Sequence, residues 1–214
     1  MILQRNIEYL MESDPEIQQI ISDDPTMAEV SALAEYTGIS WQNLIQFNLS
    51  ALELPWTEIK FIFLDVDGVL TEGGMFYTED GAEFKRFDTK DGMAIKTAMN
   101  HGYEFGIISS GVNKAIIQHR ADMFGIKRMY VGGDSKQVVA ERWLADMDLD
   151  WDQTGYIGDD INDLKMFEKV AIAACPADAT NPIKAAASFV LESAGGKGCV
   201  REFARYLPPL KSIL

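Results

Sequence analysis

The chain has 214 residues, of which 47% are apolar, enough for one sizeable hydrophobic core and a small additional unit. Its formal net charge of −14 repels polyanions, which argues against a nucleic-acid partner. No run of about 18 apolar residues occurs, so no membrane-spanning helix is expected. Two cysteines without ligand-like spacing, and an N-terminus without a basic and apolar leader, predict a soluble cytoplasmic protein.

Residues 1–58 are predicted to form an acidic, all-helical N-terminal extension. They contain one basic residue, Arg5, against ten acidic ones, and their apolar residues recur at helical spacing without any strand pattern. Residues 28–47, with Gly38 at a turn, superficially resemble a helix-turn-helix. Because such a unit needs cations to grip phosphates, helical packing or subunit contact is favoured over DNA binding.

From residue 59 to residue 214, predicted strands alternate with predicted helices. The predicted strands of this domain span residues 60–64, 104–108, 129–131, 155–157, 171–173 and 189–191. The alternation predicts an α/β fold with a doubly wound, mostly parallel sheet and helices on both faces. In such sheets, ligands bind at the carboxyl ends of the strands.

The segment from about 73 to 87 is predicted to be a β-hairpin. Its residues 75–78 and 83–87 have the character of two short strands around the turn sequence Glu79-Asp80-Gly81. Neither this segment nor the 22 residues between Lys136 and Asp159 leaves room for a cap domain. A site without a lid stays open to solvent, so another element is needed to close it.

Carboxylates and hydroxyls follow the first two predicted strands of the domain. Asp65 and Asp67 come directly after residues 60–64, and alternate residues of an extended chain point the same way. Two carboxylates so close to each other need a cation or a shared proton to offset their repulsion. The pair therefore indicates either a metal-assisted site or a simple acidic turn. Ser110 and Gly111 follow residues 104–108, where the hydroxyl is able to donate to a phosphate oxygen.

Two further charged elements lie downstream in the chain. Lys136 begins a helical pattern over residues 136–147, and its ammonium would offset phosphate charge. Asp159, Asp160 and Asp163 follow the predicted strand at 155–157. If a helix begins at Asp160, Asp159 lies at its cap and Asp163 one turn further on, near enough to share a site.

Taken in order, these elements resemble the motifs of the haloacid dehalogenase superfamily of phosphohydrolases. The pattern is DxD after the first strand, Ser or Thr after the second, a Lys, and GDxxxD or GDDxxD after a later strand. The likeness covers roughly residues 59–207. Within the superfamily, residues 65–96, 158–170 and 195–203 are similar to the 3-deoxy-D-manno-octulosonate 8-phosphate phosphatase family, which acts on phosphorylated 2-keto-3-deoxy sugar acids.

The resemblance implies a Mg²⁺-dependent phosphatase that forms an aspartyl phosphate. Asp65 is the implied nucleophile, and Asp67 is the implied general acid and base. The implied metal ligands are Asp65, the backbone carbonyl of Asp67, and Asp159, supported by Asp160 or Asp163, and the implied phosphate-binding residues are Ser110, Gly111 and Lys136. The family also implies a homotetramer in which the hairpin of one subunit closes the site of a neighbour.

Val112 departs from the family pattern, because octulosonate phosphatases usually carry Arg there and some nonulosonate phosphatases carry Glu. The substrate therefore stays open between an octulosonate 8-phosphate, a nonulosonate 9-phosphate and another small phosphate ester. Transfer of the phosphoryl group to a second sugar also stays open. A noncatalytic scaffold, like the phosphatase-like domains appended to some acylneuraminate cytidylyltransferases, is the alternative of a different class, but the complete set of motif residues favours an enzyme.

Overall fold

A computed structural model describes residues 2–214, and in it the chain divides after Leu54 into two compact units. The sequence pattern places the boundary slightly later, after residue 58. Pro55 opens the second unit, and the residue before a proline is disfavoured in the helical region, which suits a boundary between elements.

The N-terminal unit is helical. Its helices are α1 (Ile2–Ser13), α2 (Met27–Thr37), α3 (Trp41–Gln46) and α4 (Leu49–Leu52). Thr26 and Glu29 form a reciprocal capping box at the start of α2, and Gly38 ends that helix with a φ of 71°. The buried Asn6 side chain donates to the carbonyls of Leu44 and Phe47 and accepts from the amide of Leu49, which ties α1 to the last two helices of the unit.

The second unit contains the predicted parallel sheet. Its strands are β1 (Phe61–Leu64), β2 (Phe76–Tyr77), β3 (Glu83–Phe84), β4 (Glu104–Ser109), β5 (Arg128–Val131), β6 (Thr154–Ile157), β7 (Ile172–Cys175) and β8 (Phe189–Val190). Six of these form one sheet in the order β5-β4-β1-β6-β7-β8, and all of its pairings are parallel. Because β1 is a central strand, all four of its side chains are fully buried.

Helices cover the sheet as predicted for a doubly wound fold. They are α5 (Thr89–Asn100), α6 (Lys114–Phe124), α7 (Lys136–Met147), α8 (Leu164–Phe167), α9 (Asn181–Ala186) and α10 (Cys199–Ala204). Phe61 and Phe63 pack into one core cluster with buried residues of α7, α8 and α9. Ile62 and Leu64 point to the opposite face by the alternation of a strand. None of the helices in residues 2–214 has the length and apolar character that crossing a bilayer requires.

The register of the sheet aligns the strand ends that carry the motifs. Leu64, the last residue of β1, pairs with Ile107 of β4 and with Ile157 of β6. The chain leaves these three neighbouring strands at one edge of the sheet, where Asp65, Ser110 and Asp159 follow. The parallel fold therefore brings together residues that are far apart in the sequence.

The hairpin is shorter than the sequence pattern indicates. Its antiparallel strands β2 and β3 have two residues each, and the rings of Phe76 and Phe84 stack across them with their centroids 5.2 Å apart. The helix expected to begin at Asp160 also differs, since residues Ile161–Asp163 form a 3₁₀ turn and α8 begins only at Leu164. The Asp163 carboxylate accepts from the amides of Asp159 and Asp160, which fits the tighter first turn.

Candidate active site

Asp65 begins a tight turn at the end of β1. Its amide donates to the carbonyl of Ile157 on β6, and within the turn Gly68 has a φ of 83°. A Cβ atom at Gly68 would lie 1.9 Å from Oδ2 of Asp159, so only glycine permits this approach. The turn therefore places the Asp65 strand end against the Asp159 carboxylate.

A buried ion-pair cluster lies behind the turn. The ammonium of Lys136, at the start of α7, lies 2.8 Å from Oδ1 of Asp65 and 2.6 Å from Oδ1 of Asp163. It also donates to the hydroxyl of Tyr156 at 3.2 Å, and that hydroxyl donates to Asp163. These four side chains are buried, so each charge depends on its partners rather than on water.

Burial and mutual charge perturb the pKa values of this cluster. Burial raises the pKa of Asp65 to about 6, although Lys136 partly opposes the shift. The pKa of Asp159 is raised to about 7, first by burial and then by the carboxylates of Asp65 and Asp163. Burial alone would lower the pKa of Lys136, but the two carboxylates beside it outweigh this and raise it. Several perturbed pKa values in one cleft are typical of functional sites.

Three carboxylates of this cluster suit a hard divalent cation. One oxygen each from Asp65, Asp159 and Asp163 lie within 4.8 Å of one another. Carboxylate oxygens are the ligands that Mg²⁺ prefers, and a cation there would relieve the repulsion that raises the pKa of Asp159. Both oxygens of Asp163 already accept hydrogen bonds, whereas Asp65 and Asp159 line an open cavity. The donor set therefore fits the predicted metal, with Asp163 in a supporting position.

Asp67 lies on the same cavity but has a different partner. Its Oδ1 accepts from the ammonium of Lys85 at 2.6 Å and from the hydroxyl of Thr71 at 3.3 Å. Lys85 follows β3 of the hairpin and also lies 2.8 Å from Oε1 of Glu83. The pKa of Lys85 is raised because these hydrogen bonds and charges outweigh the opposing effect of burial.

The cavity has a volume of about 450 Å³. Its lining residues are Asp65, Asp67, Gly73, Met75, Ser109, Ser110, Gly111, Asp159, Asp160, Ile161 and Asn162. Ser110 accepts a long hydrogen bond of 3.4 Å from the Asn162 side chain, and the neighbouring Ser109 hydroxyl accepts from the amide of Gly111. All eight residues predicted from the motifs either line this cavity or, for Lys136 and Asp163, contact Asp65 or Asp159 from behind it.

Three contacts of the site have no signal in the sequence motifs. Lys85 contacts Asp67 although it lies 18 residues further along the chain. Tyr156 lies within β6, where the sequence alone indicates a buried aromatic residue of the core. Asn162 occupies a variable position of the acidic motif, between Asp160 and Asp163, and donates to Ser110 across the cavity. Only the polar ends of Lys85, Tyr156 and Asn162, together with their proximity to acidic motif residues in space, mark them as functional candidates.

The chain is similar in sequence to known proteins. A haloacid dehalogenase-like hydrolase family model matches residues 122–203. The 3-deoxy-D-manno-octulosonate 8-phosphate phosphatase of Haemophilus influenzae is 36% identical over 146 residues, which cover 68% of this chain and 81% of the relative.

Solved structures of that phosphatase are similar in fold. The cobalt-bound form from Haemophilus influenzae has a TM-score of 0.69 and 32% identity, and the match covers 73% of this chain and 91% of that one. The protein from Moraxella catarrhalis, in complex with magnesium, phosphate and a KDO molecule, has a TM-score of 0.70 and 25% identity over 73% of this chain and 92% of that one.

The fold and the sequence similarity are those of a haloacid dehalogenase-type phosphatase. Within that class, the chain belongs to the 3-deoxy-D-manno-octulosonate 8-phosphate phosphatase family.

Proposed function

We propose that this protein is a Mg²⁺-dependent phosphatase that hydrolyses a phosphorylated sugar acid through an aspartyl phosphate on Asp65. The observation that carries the proposal is the position of Asp65, at the tip of the central strand, beside a buried lysine and two further carboxylates. Its Oδ1 is held by Lys136, so its other oxygen is available to attack phosphorus.

Two displacements at phosphorus follow from this arrangement. In the first, a carboxylate oxygen of Asp65 attacks, the phosphorus–oxygen bond to the sugar breaks, and protonated Asp67 gives its proton to the leaving oxygen. In the second, a water oxygen attacks the same phosphorus, Asp67 takes a proton from that water, and the bond to Asp65 breaks. Asp67 thus acts as acid and then as base, and the enzyme returns to its starting state.

The phosphoryl group needs compensation of its negative charge throughout. Ser110 and the Gly111 amide are placed to donate to its oxygens, and Lys136 supplies positive charge beside Asp65. Mg²⁺ bound by the Asp65 and Asp159 carboxylates and the Asp67 carbonyl, with Asp160 and Asp163 in support, would neutralise further charge on those oxygens.

The substrate class is supported by the relatives, whose names specify an octulosonate phosphate. Val112 is 93% exposed and offers no charge to a sugar acid, and Met75 and Ile161 add apolar surface around the cavity. The proposed substrate is therefore a 3-deoxy-octulosonate 8-phosphate or nonulosonate 9-phosphate whose acid group is recognised by residues other than residue 112.

We also propose that the enzyme works in the cytoplasm as a homotetramer in which the hairpin of one subunit closes the cavity of its neighbour. The hairpin exposes four apolar side chains, Met75, Phe76, Tyr77 and Phe84, and such a cluster suits an interface. Every residue assigned to catalysis lies in residues 55–214, so the acidic helical unit before them is proposed to serve packing or subunit contact.

The decisive assay is phosphate release from a panel of phosphorylated sugar acids, with Mg²⁺ and with a chelator. Asp65→Asn should lower turnover by at least about 1,000-fold, because an amide is a poor nucleophile, while the fold and the oligomer persist. Asp152→Asn, the same change at an exposed position, is the matched control and should leave turnover intact. Retained turnover in Asp65→Asn would end the nucleophile assignment, and product sugar without free phosphate would indicate transfer instead of hydrolysis.

A further inference from the structure

Lys85 is a cation of the site that the phosphatase motifs do not include. Its side chain is only 3% exposed although it lies on a two-stranded hairpin, and it is enclosed between the carboxylates of Asp67 and Glu83. An exposed ion pair on such a hairpin would contribute little. Because the Lys85 ammonium is enclosed, its contacts fix the positions of the Asp67 and Glu83 carboxylates.

The two oxygens of the Asp67 carboxylate have different environments. Oδ1 is held by Lys85 at 2.6 Å and by the Thr71 hydroxyl at 3.3 Å. Oδ2 faces the phosphate-binding loop, since a Cβ atom on Gly111 would lie 3.7 Å from it. The Lys85 contact therefore turns one oxygen away from the cavity and presents the other to it.

We propose that Lys85 is a positioning residue, which holds the Asp67 carboxylate so that its free oxygen meets the leaving group and then the attacking water. This inference rests on the proposed function, because Lys85 contributes to catalysis in this way only if Asp67 is the general acid and base. Glu83 holds Lys85 from the other side, so the hairpin, and not the β1 turn alone, sets the position of that acid.

The proposal predicts a dependence on the leaving group. A sugar alkoxide is strongly basic and needs a proton as the ester bond breaks, whereas p-nitrophenolate departs without one. The ratio kcat/KM reports on steps through the first phosphoryl transfer, so a displaced Asp67 lowers it for the sugar phosphate only. A misplaced catalytic group costs up to about 100-fold in rate.

The test measures kcat/KM for p-nitrophenyl phosphate and for the best sugar phosphate of the panel. Lys85→Met should lose about 10- to 100-fold on the sugar phosphate and stay within about threefold of wild type on p-nitrophenyl phosphate. Lys85→Arg keeps a donor for Asp67 and should recover much of the sugar phosphate activity. Lys90→Met, the same change at an exposed position on α5, should affect neither substrate.

Equal losses on the two substrates, or no loss on either, would overturn the role of Lys85. Retention of activity on p-nitrophenyl phosphate shows that the variant is folded, so a general loss of structure cannot imitate the expected result. A wild-type enzyme that hydrolyses neither ester would instead remove the proposed function, and this inference with it. If the wild-type enzyme is active and Lys85→Met has the same kcat/KM as wild type on both substrates, the role of Lys85 is contradicted but the proposed function is not.

Discussion

Lys136 pairs with two buried carboxylates and also occupies a position proposed to bind the phosphate. Its ammonium is buried between the carboxylates of Asp65 and Asp163, and a buried charge is tolerable only when it is paired. Sequence motifs predict that this lysine approaches the phosphate. They do not predict that it also compensates Asp163 together with Tyr156, because those contacts depend on how α7 packs against β6.

Replacement of Lys136 by Met should destabilise the metal-free protein as well as inactivate it. Breaking a buried ion pair leaves uncompensated carboxylates, and we expect the free energy of unfolding to fall by about 3–5 kcal/mol near neutral pH. Urea unfolding in the presence of a chelator measures this, and Mg²⁺ should restore part of the loss. Lys165→Met, at an exposed position on α8, is the control, and an equally small effect of the two variants would contradict the ion-pair account.

Individual residues of the site differ in whether the sequence predicts them. Asp65, Asp67, Ser110 and Asp159 are predicted because each lies within a few residues of the end of a strand, and parallel strands end at one edge of the sheet. Lys85 was not predicted, since it lies on a hairpin whose position relative to Asp67 depends on contacts distant in sequence.

At the scale of elements, the turn after β1 depends on the space that Gly68 leaves for Asp159. Helix α7 spans Lys136–Met147, the range that the helical pattern predicts, because its apolar spacing is regular. The segment after β6 was predicted less well, since the Asp163 side chain bonds to local amides and gives a 3₁₀ turn. Local side-chain hydrogen bonds of this kind are invisible to periodicity.

Gly68→Ala and Gly81→Ala form a matched pair that tests the β1 turn. Both glycines have a φ of 83°, so both substitutions strain the backbone to a similar extent. A Cβ atom at Gly81 meets nothing within 4 Å, whereas one at Gly68 would collide with Asp159. Calorimetric titration should therefore show Mg²⁺ affinity lowered by at least about tenfold in Gly68→Ala, which corresponds to about 1.4 kcal/mol, and unchanged in Gly81→Ala. Equal affinities in the two variants would show that Asp159 does not hold the metal.

At the scale of the whole molecule, the alternation of elements predicted the class of fold, but the strand order β5-β4-β1-β6-β7-β8 comes only from the structure. The alternation of strands and helices constrains how elements adjacent in the sequence connect. The order of the strands in the sheet depends on long-range pairings such as that of β1 with β6. The short insertions predict that the domain has no lid, and the hairpin is the element proposed to cover the cavity of a neighbouring subunit.

Removal of apolar surface from the hairpin should weaken the proposed tetramer. Tyr77 is 58% exposed, and Tyr77→Ser should shift sedimentation toward smaller species and raise KM, because an uncovered cavity holds its substrate less well. Val138→Ser, at an exposed apolar position on α7, is the control. A wild-type protein that sediments as a monomer and is fully active would contradict the proposed assembly.

The covalent role of Asp65 is tested most directly by a crystal structure with Mg²⁺ and beryllium fluoride, which mimics a phosphoryl group on a carboxylate. The expected result is beryllium bonded to an Asp65 oxygen, with its fluorides near Ser110 and Lys136 and the metal on Asp65 and Asp159. An Asp65 carboxylate that stays free while the fluoride complex and the metal bind elsewhere would contradict the account.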